Sequence, residues 1–485
     1  MATMLENKQK QDHLMFEGVV VDEPVSPASQ YLNSLALSIC IVAVVEFEIP
    51  FENDLQFIFA MVNDVFLPIN PRFSSVMVTD ENGVKQWKKV ELRLEDHVKV
   101  PTYTAGASLE FYDACFREYL TEITTGQLPQ SRPMWEIHIL TYPTSSAAGN
   151  VIFKIHHSLG DGYSLMGALF TCFKRLDNPS LPLTLPSLGL EFPTNNHEDK
   201  MHRIVKNVSN MLSLFFNTVS NFTESLLKST VLEDDPTPIR SGNEGVEFLP
   251  LDISNVTFSL DHVKQIKTAI GATLNDVIVG TLFYGVRMYM ESAMKVSSKA
   301  NSTALVLLST RAIKRYQTCE EMVSRDSKSH WGNQFAFLHV PITKANDVDA
   351  VDPLQFVYDA REIIKKRKSS FGFFVTGKLI DMIRRFRGSE VASQYIHRTL
   401  RKASMTVTNM IGPIEKIALA NYPCKGIYFM MGGSPQSISI TMVSYNGKIR
   451  LAVGAEKSYI NIQVFMSCIE NAFERISKAA LGDQL

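Results

Sequence analysis

The sequence has few of the features that mark secreted, redox-active or nucleic-acid-binding proteins. Its six cysteines are scattered and form no C-x-x-C pair, so they predict free core thiols in a reducing compartment rather than disulfides or a zinc site. A net charge of −2 creates no general attraction for nucleic acid. The longest nearly unbroken apolar run, Leu35 to Val45, has 11 residues, whereas a membrane-spanning helix needs about 20. Because this run is rich in valine and isoleucine, it predicts a buried strand.

Length and composition predict two globular domains. A chain of 485 residues exceeds what one hydrophobic core of roughly 200 residues usually supports. We expect a disordered N-terminus over 1–24, a first domain over 25–200, a helix and linker over 201–245, and a second domain over 246–485. Apolar residues at three- and four-residue spacing between 201 and 228 predict an amphipathic helix, which could pack on protein or lie in a membrane interface. Strand and helix patterns mix in both halves, which predicts an α/β fold.

Three local patterns in the second half predict specific elements. The sequence from Thr273 to Asp276 has the form of a capping box that opens a helix running to about residue 290. Alternating apolar residues in Ser437–Tyr445 and Lys448–Val453 flank Asn446-Gly447, which predicts a β-hairpin. A final helix is expected from about 459 to 480.

The stretch Val151-Ile-Phe-Lys-Ile-His-His-Ser-Leu-Gly-Asp-Gly162 concentrates reactive side chains. Strands are predicted over 136–141 and 151–157, with a helix from Ser164 to Leu176 after them. Side chains alternate along a strand, so His157 is expected on the apolar face and His156 on the opposite one. An imidazole shielded from water stays neutral near pH 7 and can accept a proton, which makes His157 the candidate general base.

Asp161, between two glycines, could fix the turn or orient the histidine. An ordinary polar loop would also contain such residues, but the full His-His-x-x-x-Asp-Gly string at a strand end, closing with Gly162, favours a catalytic site. No third ligand lies nearby at the spacing of a zinc site. A Gly-x-Ser-x-Gly elbow is absent, and the nearest approach, Gly162-Tyr-Ser-Leu-Met-Gly167, has one residue too many. The sequence therefore predicts no nucleophilic serine of this kind.

The string resembles the active-site motif of the chloramphenicol acetyltransferase superfamily, and within it most of all the plant wax ester synthase/diacylglycerol acyltransferase family. The similarity runs from about Pro27 to the C-terminal helix. Six further blocks resemble family signatures in order and spacing, with Met134 as a departure from the family's Pro-Leu-Trp: Pro71-Arg-Phe-Ser-Ser75, Glu95-Asp-His-Val98, Arg132-Pro-Met-Trp135, Asn275-Asp276, Gly332-Asn333 and Thr408-Asn-Met-Ile-Gly-Pro413.

This resemblance implies two similar chloramphenicol-acetyltransferase-like domains, with mixed sheets flanked by helices and an active-site tunnel at their interface. It implies that His157 takes the hydroxyl proton of a fatty alcohol or a diacylglycerol, whose oxygen then attacks acyl-CoA. Acyl-CoA is a co-substrate, and no cofactor is expected. Asn275, Thr406 and Thr408 are candidate oxyanion donors, although the first turn of a helix also explains Asn275. Arg311 is the candidate structural partner of Asp161.

Residues 361–387 contain nine lysines and arginines against two acidic residues, interleaved with phenylalanines. A solvated helix face with core aromatics explains this pattern, and so does docking on an anionic membrane or on CoA phosphates. Lipid substrates would place the protein at the endoplasmic reticulum membrane or the cell membrane, facing the cytosol.

Four other interpretations stay open. The first is transfer to a soluble alcohol or amine, which the absent Asp-Phe-Gly-Trp-Gly signature disfavours, and the second is a free-standing condensation domain. The third is a glycerol-phosphate type acyltransferase, since His156 to Asp161 also fits His-x-x-x-x-Asp, although that family's other blocks are missing and strand alternation favours His157. The fourth is a non-catalytic lipid-binding protein.

Overall fold

The computed structural model describes residues 20–51, 55–81, 83–183, 232–294, 299–309, 331–345, 347–368 and 372–482. Its strands, β1 to β16 in chain order, are Val20–Pro24, Cys40–Phe47, Ser75–Thr79, Lys85–Lys89, Val98–Lys99, Trp135–Leu140, Gly149–His156, Phe173–Arg175, Leu251–Ser259, Thr303–Ser309, Phe335–Pro341, Met405–Ile411, Ile417–Leu419, Tyr422–Gly432, Ile438–Tyr445 and Lys448–Glu456. Its α-helices, α1 to α12, are Pro27–Tyr31, Leu55–Met61, Leu67–Ile69, Leu94–His97, Leu109–Thr125, Gly162–Thr171, Leu260–Ala269, Leu274–Ala293, Pro353–Lys368, Gly372–Arg387, Ser389–Lys402 and Ile462–Leu481.

A mixed seven-stranded sheet, in the order β5-β6-β7-β2-β14-β13-β8, carries the histidine motif. Its central strands β7 and β2 pair antiparallel, and β14 pairs antiparallel along the other side of β2. β13 and β14 lie near the C-terminal end of the chain, so this sheet combines residues from both predicted domains. A small antiparallel sheet, β1-β4-β3, accompanies it.

A second mixed sheet has six strands in the order β11-β10-β12-β15-β16-β9. β12 pairs in parallel with β10 and β15, while the outer pairs are antiparallel. Helices α8 and α12 cover one face, where Val407 and Leu451 from the sheet join Phe283 and Phe465 from the helices in one buried cluster. Burial of this apolar face provides the main stabilisation of the second half. Both sheets are mixed and flanked by helices, which confirms the predicted fold class.

A buried ion pair joins the two sheets. The Arg450 guanidinium of β16 lies 2.5 Å from a carboxylate oxygen of Glu46 on β2, and it sits over the ring of Tyr428 on β14. Gly426 lies directly beneath, since a Cβ placed there would come within 2.6 Å of that carboxylate. Removing one partner of such a pair would strand a buried charge, at a cost of about 3–5 kcal/mol.

Most of the local predictions are confirmed. Thr273 and Asp276 form the capping box at the start of α8. The hairpin closes with Tyr445 opposite Lys448, and both Asn446 and Gly447 have positive φ angles, as a tight two-residue turn requires.

Two predicted bounds are wrong. The strand predicted from Leu35 begins only at Cys40, because a turn closed by the bond from Ser34 N–H to Leu37 O precedes it and leaves Leu35 97% exposed. The helix predicted to reach Leu176 ends at Thr171, because Phe173–Arg175 pairs with β13 as a strand.

The described cysteines are free thiols, four buried and Cys115 half-buried. No single helix among the described residues is long and apolar enough to cross a membrane, and one sharply bent pair, α7 with α8, meets the length and composition criteria together. The amphipathic helix predicted over 201–228 lies outside the described residues.

Candidate active site

His157 lies immediately after β7, in the interior of the protein. Its backbone N–H donates to the carbonyl of Ile39 at 2.8 Å, which continues the pairing of β7 with β2 by one residue. Phe153 and Ile155 belong to one buried cluster while Ile152 belongs to another, so the two faces of β7 separate as the alternation predicts. The His157 side chain is only 4% exposed.

Asn333 fixes the orientation of the His157 ring. Its amide nitrogen Nδ2 donates to the His157 carbonyl at 2.8 Å, so its oxygen Oδ1 is the atom 2.8 Å from His157 Nδ1. An amide oxygen only accepts, so Nδ1 must carry the hydrogen. In the neutral ring, Nε2 therefore holds the basic electron pair.

Burial lowers the pKa of His157 below its ordinary value. The negative charge of Asp161 and the bond to Asn333 oppose this effect without overcoming it. The ring of Phe335, edge-on at 5.4 Å between centroids, adds to the apolar surroundings. A neutral imidazole with a defined tautomer is the form that a general base requires.

Asp161 organises the loop instead of contacting the reacting ring. One carboxylate oxygen accepts from the N–H of Ser164 at 3.1 Å and caps α6, and the other accepts from the N–H of Gln334 at 2.9 Å. The Ser164 hydroxyl pairs with the backbone of Gly332. Asp161 thereby joins the motif loop to the segment 331–334 of the second half, as its predicted orienting role requires. Arg311, its predicted partner, lies outside the described residues.

His156 points away from His157 into a separate hydrogen-bonded setting. Its Nε2 is 3.0 Å from the Ser38 hydroxyl, and its Nδ1 is 2.8 Å from the Ser158 hydroxyl. Burial lowers the pKa of His156 to about 3. These bonds and the lowered pKa make this histidine a neutral residue with both ring nitrogens engaged. A cavity of about 370 Å³ with mixed polar and apolar lining begins beyond Ser38.

Strand β12 brings two of the candidate oxyanion donors towards the motif. Met405 and Val407 point into the core of the second half, so Thr406, Thr408 and Met410 share the opposite face. Met410 reaches Gly162, since a Cβ placed on this glycine would lie 3.0 Å from the methionine sulfur. Thr406 donates its hydroxyl hydrogen to Gln436.

The third candidate, Asn275, is placed differently. It is exposed in the first turn of α8, and its side-chain oxygen accepts from Asn409 at 2.7 Å. The Asn275 side chain is therefore hydrogen-bonded to Asn409 and not to His157.

An apolar cavity of about 20 Å³ adjoins Gly162 on the His157 side of the sheet. It lies between the sheet, α6 and β12, and its walls include Phe153, Leu165, Met410 and Phe429. Only apolar surface lines it, so it disfavours a charged group. At this volume it has room for about one water-sized group and not for an acyl chain.

The N-terminal signature blocks pack together beneath the motif loop. Trp135 is fully buried, stacks on His97 at 4.3 Å and donates its indole N–H to the carbonyl of Phe73 at 2.8 Å. Arg72 is buried and donates to the carbonyl of Leu159 at 3.4 Å. These blocks therefore support the loop that carries the histidine.

Sequence reasoning missed the direct role of Asn333. The Gly332-Asn333 block contributes to the resemblance, but its contact with a residue 176 positions away has no local signal. The same segment contributes Trp331, whose indole N–H donates to Leu159 O at 2.9 Å. An amide directly after glycine in a signature block is the one feature that could have indicated it.

Comparison with known proteins identifies the family. A family model described as the wax ester synthase/diacylglycerol acyltransferase catalytic domain matches residues 59–278, and one described as the WS/DGAT C-terminal domain matches residues 331–477. Wax ester synthase/diacylglycerol acyltransferase 4 of Arabidopsis thaliana is 28% identical over 463 residues, covering 91% of this chain and 87% of that protein.

Two solved structures share the fold. A wax ester synthase/diacylglycerol acyltransferase from Marinobacter aquaeolei VT8 superposes with a TM-score of 0.57 at 14% identity, over 94% of this chain and 100% of that one. The starter condensation domain of rhizomide synthetase RzmA superposes with a TM-score of 0.51 at 10% identity, over 93% and 92%. The two mixed sheets and these matches define the class as an acyltransferase with a two-domain α/β fold. The chain belongs to the wax ester synthase/diacylglycerol acyltransferase family.

Proposed function

We propose that this acyltransferase esterifies a fatty alcohol or a diacylglycerol with the acyl group of acyl-CoA, giving a wax ester or a triacylglycerol. The observation that carries the proposal is His157, buried and neutral, with Nδ1 bonded to Asn333 so that Nε2 is the basic nitrogen. Family membership supports the class of reaction.

In the proposed reaction, His157 Nε2 accepts the hydroxyl proton as the substrate oxygen attacks the thioester carbonyl. A C–O bond forms and the carbonyl electrons move to oxygen, giving a tetrahedral oxyanion. When the carbonyl re-forms, the C–S bond breaks, and the leaving thiolate takes the proton from the imidazolium. The base is thereby regenerated, and no covalent acyl-enzyme or cofactor takes part.

We assign the oxyanion donor to Thr408. It shares the inner face of β12 with Met410, which contacts Gly162, and its side chain is buried. Thr406 is farther along the strand and gives its hydrogen to Gln436, which leaves it less suited. A single well-placed hydroxyl donor contributes about 10²–10³ in kcat at such sites.

We assign the acyl chain to the apolar cavity beside Gly162 and Met410. The cavity is small in this structure, so a long chain would occupy it by displacing flexible side chains such as Met166 and Met410. Lipid substrates would be reached from the cytosolic side of the endoplasmic reticulum membrane or the cell membrane, where we place the protein.

The test is ester formation by the purified chain and its His157→Ala variant. Labelled palmitoyl-CoA would be supplied with hexadecanol and with diacylglycerol in parallel. We expect wax ester or triacylglycerol from the parent chain and a loss of at least about 10³-fold in the variant. His262→Ala is the matched control, because this histidine bonds Ser477 on the far side of the second half. Equal activity of the parent and His157→Ala, or no product with either acceptor, would disprove the proposal.

A further inference from the structure

The outer face of α10 exposes apolar and basic side chains together. Phe386 is 80% exposed and Met382 is 50% exposed, one turn apart. Lys378 and Arg385 lie on the same side of the helix and are also exposed. Single exposed apolar residues are ordinary, but an aromatic ring and a methionine framed by cations form a defined amphipathic surface.

The opposite side of α10 faces the active site. Ile380 lies on this inner side and packs against the buried cluster that also contacts Phe335 and Phe337 of β11. Phe335 in turn makes the edge contact with His157. The helix therefore lies between the catalytic histidine and the surface of the protein.

The charge of this region has the opposite sign to that of the whole chain. Residues 361–387 contain nine lysines and arginines against two acidic residues, while the chain carries a net charge of −2. The cations at Lys378 and Arg385 are therefore a local feature, which suits an anionic partner. A soluble phosphate compound would be bound by cations alone, whereas the adjoining Phe386 and Met382 suit a partner with a hydrocarbon layer.

We propose that the outer face of α10, formed by Lys378, Met382, Arg385 and Phe386, docks on an anionic lipid surface. Phe386 and Met382 enter the boundary between headgroups and acyl chains, and the cations face lipid phosphates. Docking through this helix brings the lipid surface to the side of the protein from which Phe335 and His157 are nearest. The inference rests on the proposed function only in that the substrates are lipids.

The test is flotation of the full chain with vesicles of phosphatidylcholine alone and with about 30% phosphatidylserine. We expect binding to the anionic vesicles. Met382→Ser/Phe386→Ser and Lys378→Glu/Arg385→Glu are each expected to weaken it by more than tenfold, since each cation near an anionic surface accounts for about a fivefold change. Phe111→Ser and Lys264→Glu are controls at exposed sites on other helices and should leave binding unchanged.

Ester formation in mixed detergent micelles separates this proposal from the proposed function. Variants that lose vesicle binding but keep micellar activity support docking. Vesicle binding without any ester formation would leave docking standing and remove the function. Binding of both double variants at parent strength would overturn the docking proposal. A second result would also overturn the docking proposal. If the parent binds no vesicles, and sedimentation shows a dimer that Met382→Ser/Phe386→Ser converts to a monomer, then this face joins two copies of the chain.

Discussion

Asn333 bonds His157 at two atoms, accepting from its ring nitrogen and donating to its backbone carbonyl, both at 2.8 Å. This pair of bonds sets both the tautomer and the direction of the ring. The segment that carries Asn333 is itself held by Ser164 and Asp161, so the second half of the chain positions His157.

Asn333→Asp is expected to move the acid limb of the pH–rate profile to higher pH. In the parent chain, burial lowers the pKa of His157, so kcat should rise with pH through a value below the ordinary pKa of about 6.5. A carboxylate beside Nδ1 stabilises the imidazolium and raises this pKa. The measurement is kcat from pH 5 to 9 for both proteins. Asn333→Leu, which removes both bonds, should lower kcat about 10–100-fold. An acid limb unchanged in Asn333→Asp would contradict the positioning role.

Thr408→Val is expected to lower kcat about 100-fold or more, with little change in KM, because the hydroxyl stabilises only the transition state. Thr408→Ser keeps the donor and should retain most of the activity. Thr406→Val is the matched control on the same face of β12. If Thr408→Val retained the parent kcat while Thr406→Val lost it, the oxyanion donor would be Thr406.

Met410→Ala is expected to shift selectivity towards longer acyl chains by enlarging the apolar cavity beside Gly162. The measurement is the ratio of kcat/KM for C18 acyl-CoA to kcat/KM for C12 acyl-CoA. This ratio should rise several-fold, because each additional group that fits an apolar pocket contributes about 1–3 kcal/mol. Met288→Ala, at a half-buried position on α8 outside this cavity, controls for general loosening. A chain-length ratio that stays constant in Met410→Ala would place the acyl chain elsewhere.

His156 is expected to make the protein less stable as the pH falls below about 6.5. Burial lowers its pKa to about 3 in the folded chain, whereas the unfolded chain has the ordinary value near 6.5. Between these values the unfolded state binds an extra proton, so the free energy of unfolding falls by at most about 1.4 kcal/mol per pH unit. Urea unfolding of the parent and His156→Asn at pH 7 and pH 5 measures this. The variant should be less stable at pH 7 but lose less on acidification, and parallel losses would refute the assignment.

The sequence allowed prediction wherever the determinant is local. Asn446-Gly447 specifies its turn, Thr273 and Asp276 cap their own helix, and alternation alone separates Phe153 from Ile152. The errors have tertiary causes. Helix α6 stops at Thr171 because Phe173–Arg175 pairs with residues 417–419, and the apolar run from Leu35 turns before its strand begins.

The candidate site shows the same division between local and tertiary determinants. The motif identified His157, and the alternation of side chains along the strand predicted the face on which it lies. The residues of the second half that hold His157 are distant from it in sequence. Asn333 and Met410 meet the motif only because the two sheets pack together. The pairing of Asp161 with Arg311 stays a prediction.

The placement of β14 beside β2 has a consequence for how the protein is made. During synthesis from the N-terminus, β2 and β7 emerge long before residues 422–432 of β14. One edge of β2 therefore remains unpaired while most of the chain is translated. An unpaired apolar edge invites aggregation. A fragment ending before residue 422 should therefore be insoluble when expressed alone. Adding residues 422–485 as a separate chain should rescue it only if both are present together during folding.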